Sequence, residues 1–409
     1  MSQYYSPEPV SIPASLAREL AARGHQVRVV TGFPNYPGGS LYAGYRQKLV
    51  FQENDGEVRV RRVPLILSHS KSAFGRIANY LSFAVATLLA GRFVRHSDVI
   101  YVYATPMTAA FAPSIWYKMR QIPYVMHVQD VWPESITGSS MLGSASLRRV
   151  ISATLTPWLA SLYASAAATI TIGPTMTVDL IARGVPTDRS YTVFNWGNET
   201  ADPPIEQTKR NQRPKTKTFT VAYSGNIGDL QDLETVIRAA HAVRDLEGFR
   251  LELVGVGVAL ARLERLVGEL GATNVIFRGW VHPLQIRDHY LKSDFQIVPL
   301  RALSVFNGTI PSKLQTSLYY GVPIITTVTG DTAEIVTVNG LGFASDPEDP
   351  AALEAVFRMA FALPVFERAA MAARAKNFYR HNMSQERGTD AIERILQIAS
   401  QSARKKGTP

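Results

Sequence analysis

Lys313 is the residue whose type and position most need a chemical reason. It stands near the start of Pro311–Val336 (PSKLQTSLYYGVPIITTVTGDTAEIV), which reads as a helix, a turn, a buried strand and a glycine turn into another helix. Pro311 fits the first helical position, where no backbone N–H is needed. Ser312 and Lys313 then lie in the first turn, where unpaired N–H groups and the helix dipole favour an anion and oppose a cation. A bound phosphate would give the ammonium its reason; an ordinary strand–helix unit is the other reading. Gly321 and Pro323 end the helix. Ile324 and Ile325 then form the short apolar run of a strand covered on both faces.

Two further stretches of the C-terminal half suit phosphate. Tyr223–Glu234 (YSGNIGDLQDLE) runs from a strand into a helix. Gly225 and Gly228 let its backbone approach a ligand closely, and exposed N–H groups in such a loop cradle a pyrophosphate, although a tight turn needs glycine too. Asp229, Gln231 and Asp232 bring no positive charge to this loop, so Lys313, and behind it Arg301, must supply it. Gly255 and Gly257 follow the next strand as an incomplete dinucleotide pattern, for which helix–strand packing is reason enough.

In the N-terminal half, Val125–Ser135 (VMHVQDVWPES) puts His127, Gln129 and Asp130 at the end of a buried strand that breaks at Trp132–Pro133. Buried polar groups need partners and a ligand is one, though a hydrogen-bonded structural histidine is the plainer reading of His127. Asp130 is a carboxylate able to position a substrate hydroxyl or stabilise charge. Gly32–Gly39 (GFPNYPGG) is fixed by its prolines and glycines into an ordered loop that carries Asn35 and Tyr36 at the rim of a cleft.

The elements behind these stretches alternate. A helix over about Ile12–Arg23 ends at Gly24, and strands follow at Val27–Thr31, Asp98–Tyr103, Tyr124–Gln129 and Ala168–Ile172. The rhythm restarts at Phe219–Tyr223 and continues through Leu251–Gly255, Val275–Gly279, Phe295–Pro299 and Pro323–Thr327. This order predicts an α/β protein with two parallel, doubly wound sheets. The polar, proline-rich stretch 201–218, with Lys209, Arg210, Arg213, Lys215 and Lys217, reads as a linker. The expected division is therefore 1–200, the linker, 219–380, and a last segment 381–409 with a helix over about Ser384–Ala403. Two such halves leave a cleft between the carboxyl ends of their sheets, where ligands of such folds bind. The start is unusual, because the turn-like YYSPEP arrives before any apolar strand. Either the first central strand is lacking or the true start lies upstream.

Composition narrows the class. A chain of 409 residues suggests two domains, and 46% hydrophobic with 19% charged residues is globular. The absence of cysteine excludes disulfides, thiolate metal sites and a cysteine nucleophile, and fits a reducing cytosolic compartment. A net charge of +10 and a pI of about 9.7 attract nucleic acid, anionic lipid or phosphorylated substrates. No zinc-finger spacing, RNA-binding aromatic motif or recognition helix supports the first of these. The opening MSQYYSPEPV has neither the basic nor the apolar region of a signal peptide. Ile77–Gly91 (IANYLSFAVATLLAG), bracketed by Arg76 and Arg92, is shorter than the roughly 20 apolar residues a spanning helix needs. It reads as a core helix or, held by Arg76, Arg92 and Arg95, as a helix lying on a bilayer.

Taken in order, these stretches resemble glycosyltransferase family 4, nucleotide-sugar-dependent enzymes of the GT-B fold. PSKLQTSLYYGVPII looks like the family's PSK-x-x-E-x-x-A-x-G-x-P-V-I segment, GNIG like its GN-x-G donor loop, and FNWGNE (Phe194–Glu199) like its PNWA hinge. DVWPES is similar to the DLWPES of members that build bacterial O-antigens, capsules and exopolysaccharides. The likeness runs from Tyr4 to about Leu396 and is nearest to colanic-acid and O-antigen transferases, including fucosaminyltransferase-like members. It implies two Rossmann-like domains facing a central cleft, an acceptor domain first and a donor domain second, with the last helix crossing back to the first.

The resemblance also implies a site. Donor contacts would come from Gly225, Asn226, Ile227, Gly228, Gly255 and Gly257, from Gly279 and Trp280 beside the base, and from Arg301, Pro311, Ser312, Lys313 and Thr316. Thr316 stands where the family has a ribose-binding glutamate, and a hydroxyl bonds a sugar more weakly than a carboxylate does. Acceptor contacts would come from Glu8, Asn35, Tyr36, Gln129 and Trp132, and catalysis from Asp130, Lys313 and His127. Many members carry His-Asp where Gln129–Asp130 stands, and glutamine cannot act as a base. The implied reaction is retaining transfer, without metal or other cofactor, of a sugar such as an N-acetylamino sugar from a UDP donor to a polyprenyl-diphosphate-linked glycan. No D-x-D stands in the chain. The expected place is the cytoplasmic face of the plasma membrane, with its anionic surface and no nucleic acid as partner. A nucleotide-sugar 2-epimerase of the same architecture and a catalytically silent nucleotide-sugar-binding subunit remain as alternatives.

Overall fold

The computed structural model describes residues 1–68, 73–134, 145–199, 218–303 and 306–406. Contacts divide it into two compact units, Met1–Phe194 with Gln385–Pro409, and Asn195–Ser384. Asn195–Glu199, read from the sequence as the end of the first domain, therefore cluster with the second unit. The linker expected at 201–218 lies outside the described residues except for its last position, as does Ser135 of the DVWPES stretch.

The first unit holds two sheets. Strands β1 (Arg28–Gly32), β2 (Phe51–Asp55) and β3 (Val58–Val63) are ordered β1-β3-β2, with β3 parallel to β1 and antiparallel to β2. Strands β4 (Ile100–Ala104), β5 (Tyr124–Val128), β6 (Ala168–Thr171) and β7 (Ser190–Thr192) lie side by side in chain order, all parallel. Met1–Gln3 occupy the seam between β1 and β4. The Ser2 amide donates to Val30 and the Gly32 amide to Gln3 on one side, and the Tyr103 amide donates to Met1 on the other. This short segment thus pairs Val30 and Gly32 of β1 and, with the Met1 ammonium donating to Tyr101 O, Tyr101 and Tyr103 of β4. The β2–β3 hairpin is missing from the sequence reading, although Asp55–Gly56 marks it: Gly56 has φ +60°, which such a tight turn requires.

Helix α1 (Ser11–Ala22) ends at Gly24, whose φ is +90°. It packs against the C-terminal helix Gln385–Lys406 of the same unit, where Arg23 meets Asp390 at 2.7 Å and Glu393 at 2.8 Å. Helix α2 (Ala73–Thr87) continues through a turn at Leu88–Ala90 into a short helix at Gly91–Val94. Its Phe83 joins Val102, Met126 and Trp116 in the core.

The second unit has one six-stranded parallel sheet. Its strands β8 (Phe219–Ser224), β9 (Phe249–Val254), β10 (Val275–Gly279), β11 (Phe295–Val298), β12 (Ile324–Thr326) and β13 (Gly342–Ala344) are ordered β10-β9-β8-β11-β12-β13. The chain reverses its direction of travel across the sheet between β8 and β11. The carboxyl ends of those two strands are the switch point at which doubly wound sheets bind ligands. Helix α3 (Ser312–Tyr319) begins 14 residues after β11 ends and brings Lys313 to that point.

Candidate functional site

At the switch point of the second unit, β8 ends in Tyr223–Ser224 and the chain turns at Gly225 with φ +148°. The Lys313 side chain lies across this turn. Its Nζ sits 5.0 Å from the Tyr223 ring centroid, and a Cβ built on Gly225 would meet Lys313 Cε at 2.4 Å and Nζ at 3.0 Å. A side chain at 225 would occupy the space the lysine uses. Burial alone lowers the lysine pKa to about 8, and no charged group among the described residues offsets it. This ammonium is half-buried beside an aromatic face and meets no carboxylate among the described residues. Pro311 is extended (φ −63°, ψ 140°) and precedes the helix, so the first helical residue is Ser312 and Lys313 is second, one place earlier in the helix than expected.

The glycine loop differs from the cradle of open amides that its sequence suggests. The Gly225 amide donates to Val254 O (2.9 Å), the Ile227 amide to Val256 O (2.9 Å) and the Gly228 amide to Gln231 Oε1 (3.1 Å). Most of the loop's donors are spent on the neighbouring loop and on Gln231, so the lysine and the first turn of α3 carry most of the anion-binding capacity. Tyr223 also donates its hydroxyl to Asn226 O. Gly255 and Gly257 have the plain packing role: a Cβ at either would stand 1.9 Å from Gly225 O or 2.2 Å from Ile227 O.

The other donor-side candidates separate. Arg301 donates Nε to Asp229 O (2.8 Å) and lies 3.7 Å from Glu348, so its charge is already partly answered. Thr316 donates its hydroxyl to Ser312 O at 3.0 Å within the helix, which leaves it only as an acceptor for a sugar hydroxyl. Trp280, after Gly279 at the end of β10, is 64% exposed and set edge-on to His282. It is therefore an open aromatic face, not the core residue that a strand end usually holds.

The acceptor-side candidates lie in the first unit, at the carboxyl end of β5. His127 is fully buried, its Nδ1 2.6 Å from the Tyr101 hydroxyl and its ring edge-on to Tyr103. Burial lowers its pKa to about 3, so the ring is neutral and sealed from substrate. The burial gives the catalytic role expected for His127 no support, while its Nε2, unlike Nδ1, has no hydrogen-bond partner among the described residues. Three residues further on, Asp130 is exposed, while the mass of protein around it holds its pKa above the usual carboxylate range. Gln129 is buried.

Aromatic side chains that the sequence reading missed gather near Asp130. Tyr80 of α2 lies 6.2 Å from Trp132 and interacts electrostatically with Tyr4, whose ring is 5.2 Å from that of Tyr36. The Asp130 charge helps to raise the pKa of both Tyr80 and Tyr103, behind desolvation as the main cause. Of the five residues expected to touch an acceptor, only Tyr36 is exposed. Asn35 and Trp132 are buried, and Glu8 is a brace: Oε1 accepts from the Asn35 and Tyr36 amides (both 2.9 Å) and Oε2 from the Tyr5 amide (3.2 Å).

Arg62 completes that brace and had no motif to announce it beyond the VRVRRV alternation of β3. Its guanidinium, 1% exposed, donates to Glu53 (2.6 Å), Gly32 O (3.0 Å) and Ser6 O (2.5 Å), and stacks 4.8 Å over Tyr45. Glu8 and Arg62 together fix the loops that carry Tyr4 and Tyr36.

Comparison with known proteins covers both units. Residues 11–196 match the Glycosyl transferase 4-like domain and residues 204–378 match Glycosyl transferases group 1. The Escherichia coli (strain K12) protein assigned to colanic acid biosynthesis as the glycosyl transferase WcaI is 29% identical over 382 residues, 88% of this chain and 91% of that protein. Among solved structures, WaaG, a glycosyltransferase involved in lipopolysaccharide biosynthesis, aligns at TM-score 0.62 and 15% identity over 93% of this chain and 94% of its own. Anabaena HepE in complex with UDP aligns at TM-score 0.62 and 13% identity over 95% of this chain and 98% of its own. The catalytic domain of Arabidopsis thaliana starch synthase IV, bound to ADP and acarbose, aligns at 0.68 and 12% identity over 98% of both chains. At such identities these structures speak for the fold.

Proposed function

We propose, from the premise that the chain is a GT-B glycosyltransferase joining a glycosyl transferase 4-like domain to a group 1 domain, that it moves a sugar from a UDP donor to a lipid-linked glycan. The observation that carries this reading is the half-buried Lys313 ammonium, which meets no carboxylate among the described residues, laid over Gly225 at the switch point of the second sheet. A nucleotide diphosphate supplies two phosphate groups of the missing charge. In the transition state the sugar gains oxocarbenium character while the diphosphate leaves. The cation that stabilises the leaving oxygens then contributes most, because its attraction grows as their charge develops.

Trp280 offers a face for the base, and the first-turn amides of α3 offer donors to the phosphates. On the acceptor side, Asp130 positions the incoming hydroxyl while Tyr36 and its aromatic neighbours stack against sugar rings. HepE is bound to UDP or UDP-glucose and starch synthase IV to ADP, which supports a nucleoside-diphosphate sugar donor; the choice of uridine rests on the sequence likeness. WcaI and WaaG support a place in colanic acid or other surface polysaccharide synthesis. Retention of configuration and an N-acetylamino donor sugar rest on the sequence likeness to fucosaminyltransferase-like members. A polyprenyl-diphosphate acceptor and a net charge of +10 support work at an anionic membrane, on its cytoplasmic side.

The test is a donor screen with polyprenyl-diphosphate sugars as acceptors, read by product mass and anomeric configuration. UDP should raise the melting temperature and GDP should not, and product should form only when the lipid-linked acceptor is present. Inversion at C2 of the free donor would establish an epimerase instead. Absence of both stabilisation and turnover with every nucleotide would sink the reading.

A further inference from the structure

We infer that the outward face of α2 is the surface by which this protein seats on an anionic lipid bilayer. Leu81 and Val85 of α2 and Leu88 and Leu89 of the turn that follows are exposed by 54, 60, 37 and 50%, and their spacing puts them on one side of the helix. Ile66, also 54% exposed, belongs to the same patch, because its amide donates to Ser82 Oγ and its carbonyl accepts from Asn79. Large aliphatic side chains gathered on one helix face are costly to leave in water and mark a docking surface.

The charges around the patch choose the occupant. Exposed Arg76 precedes it and exposed Arg92 and Arg95 follow it, and the 40 residues Val58–Ser97 contain no Asp or Glu. An apolar face with cations at both ends fits acyl chains beneath anionic headgroups. A second copy fits poorly: two such faces packed antiparallel about a two-fold axis would set Arg76 of one against Arg92 of the other.

Composition alone would let Gly75–Val94 cross a membrane, with 20 residues at a mean hydropathy of 1.4. The opposite face forbids it. Phe83, Ala90 and Val94 are built into the core of the first unit, and Asn79 Oδ1 accepts from Gln3 at 2.6 Å. The helix cannot leave without dismantling that core, so its contact lies in the plane of the interface. Tyr80, one residue before Leu81, points instead toward Trp132 and the Asp130 region. One helix thus carries an acceptor-side aromatic and a lipid-facing stripe, and in linking the two the inference rests on the lipid-linked acceptor proposed above.

The experiment is co-sedimentation of the full chain with vesicles of phosphatidylcholine alone or with about one-third phosphatidylglycerol. The wild type should bind the anionic vesicles at least about tenfold better, and less well at high salt. Leu81→Gln/Val85→Gln should lose at least about tenfold in binding, and Arg92→Glu/Arg95→Glu should lose the preference for phosphatidylglycerol. Both variants should keep the wild-type melting temperature and its rise with UDP, which separates failure of this surface from failure of the donor site. Wild-type vesicle binding by Leu81→Gln/Val85→Gln overturns the inference, and Leu81→Gln/Leu89→Gln repeats the test if that variant misfolds. A wild-type dimer that these changes dissociate, with no vesicle binding, overturns it in favour of a second copy.

Discussion

Lys313 and Gly225 form a single packed unit: the lysine methylenes fill the volume that any side chain at 225 would claim, and Nζ stops 3.0 Å from that point. The loop's own amides are largely spent, so on the proposed reading the lysine carries the charge stabilisation of a departing diphosphate. Lys313→Ala should lower kcat by roughly 10²- to 10³-fold, the usual cost of removing one stabilising group for developing negative charge. Melting temperature should hold or rise, because a half-buried cation with no carboxylate partner among the described residues is lost. Turnover within threefold of wild type would remove Lys313 from the mechanism.

The lowered pKa of this lysine gives a pH dependence with a definite sign. The folded state holds the proton with a pKa of about 8, against 10.5 in the unfolded chain. Below pH 8 both states are charged and the whole penalty, on the order of 3 kcal/mol or less given solvent access, acts against folding. It fades between about pH 8 and 10.5, as the folded state loses its proton first. Urea unfolding of wild type and Lys313→Met at pH 7 and pH 10 should therefore show a stability gap that favours Met at neutral pH and narrows in alkali. The thermal stabilisation by UDP should run the other way, shrinking above pH 8 in the wild type alone.

Two glycines that look alike in sequence should behave differently. At Gly225 an added methyl meets the far end of a flexible side chain, so Gly225→Ala should cost about 1–2 kcal/mol for its backbone conformation. It should displace the lysine and lose most UDP stabilisation. At Gly255 the same methyl meets the Gly225 carbonyl at 1.9 Å, which is backbone and cannot yield. Gly255→Ala should unfold the second unit or cost roughly 3 kcal/mol or more. Urea denaturation with and without UDP checks both.

These contrasts show where the sequence was legible. Apolar runs such as FTVAY and YVMHV announce buried parallel strands because they are short, rich in β-branched and aromatic residues, and covered on both faces. The short edge strands β7 and β13 have no such run, and the β2–β3 hairpin is half polar with only Asp55–Gly56 to mark it. Lys313 could be singled out because a cation in a first turn opposes a local dipole. The spent amides of the GNIG loop could not, since their partners are Val254 at the end of β9, Val256 in the loop beyond it, and Gln231. For His127 the residues alone favour a structural reading and only the family resemblance implies catalysis; its Tyr101 partner is illegible because β4 supplies it from a distance in sequence.

His127 and Asp130 can be told apart by pH profile. A neutral ring with a pKa of about 3 takes no part in titration near neutrality. His127→Asn should leave the shape of the kcat/KM profile unchanged, whatever it costs in stability. Asp130→Asn should lower kcat/KM for the acceptor by at least about tenfold and remove the acid limb, which lies above the ordinary aspartate range because of desolvation. UDP stabilisation should survive in both. An acid limb near pH 6.5 that vanishes in His127→Asn would restore the histidine as a base.

Arg62 offers the sharpest check on how the acceptor loops are held. One planar guanidinium meets the Glu53 carboxylate and the Ser6 and Gly32 carbonyls, and an ammonium cannot span all three. Arg62→Lys should therefore behave as a loss of the pair and not as a conservative change. The stability cost should fall somewhat below the roughly 3–5 kcal/mol of a fully buried pair, because Glu53 keeps 27% exposure and can be hydrated. The Ser6 and Gly32 loops should loosen together, carrying Tyr4 and Tyr36 with them. Acceptor KM should then rise several-fold with kcat and UDP stabilisation little changed. Equal loss of UDP stabilisation would mean that Arg62 supports the whole protein and does not specifically hold the acceptor loops.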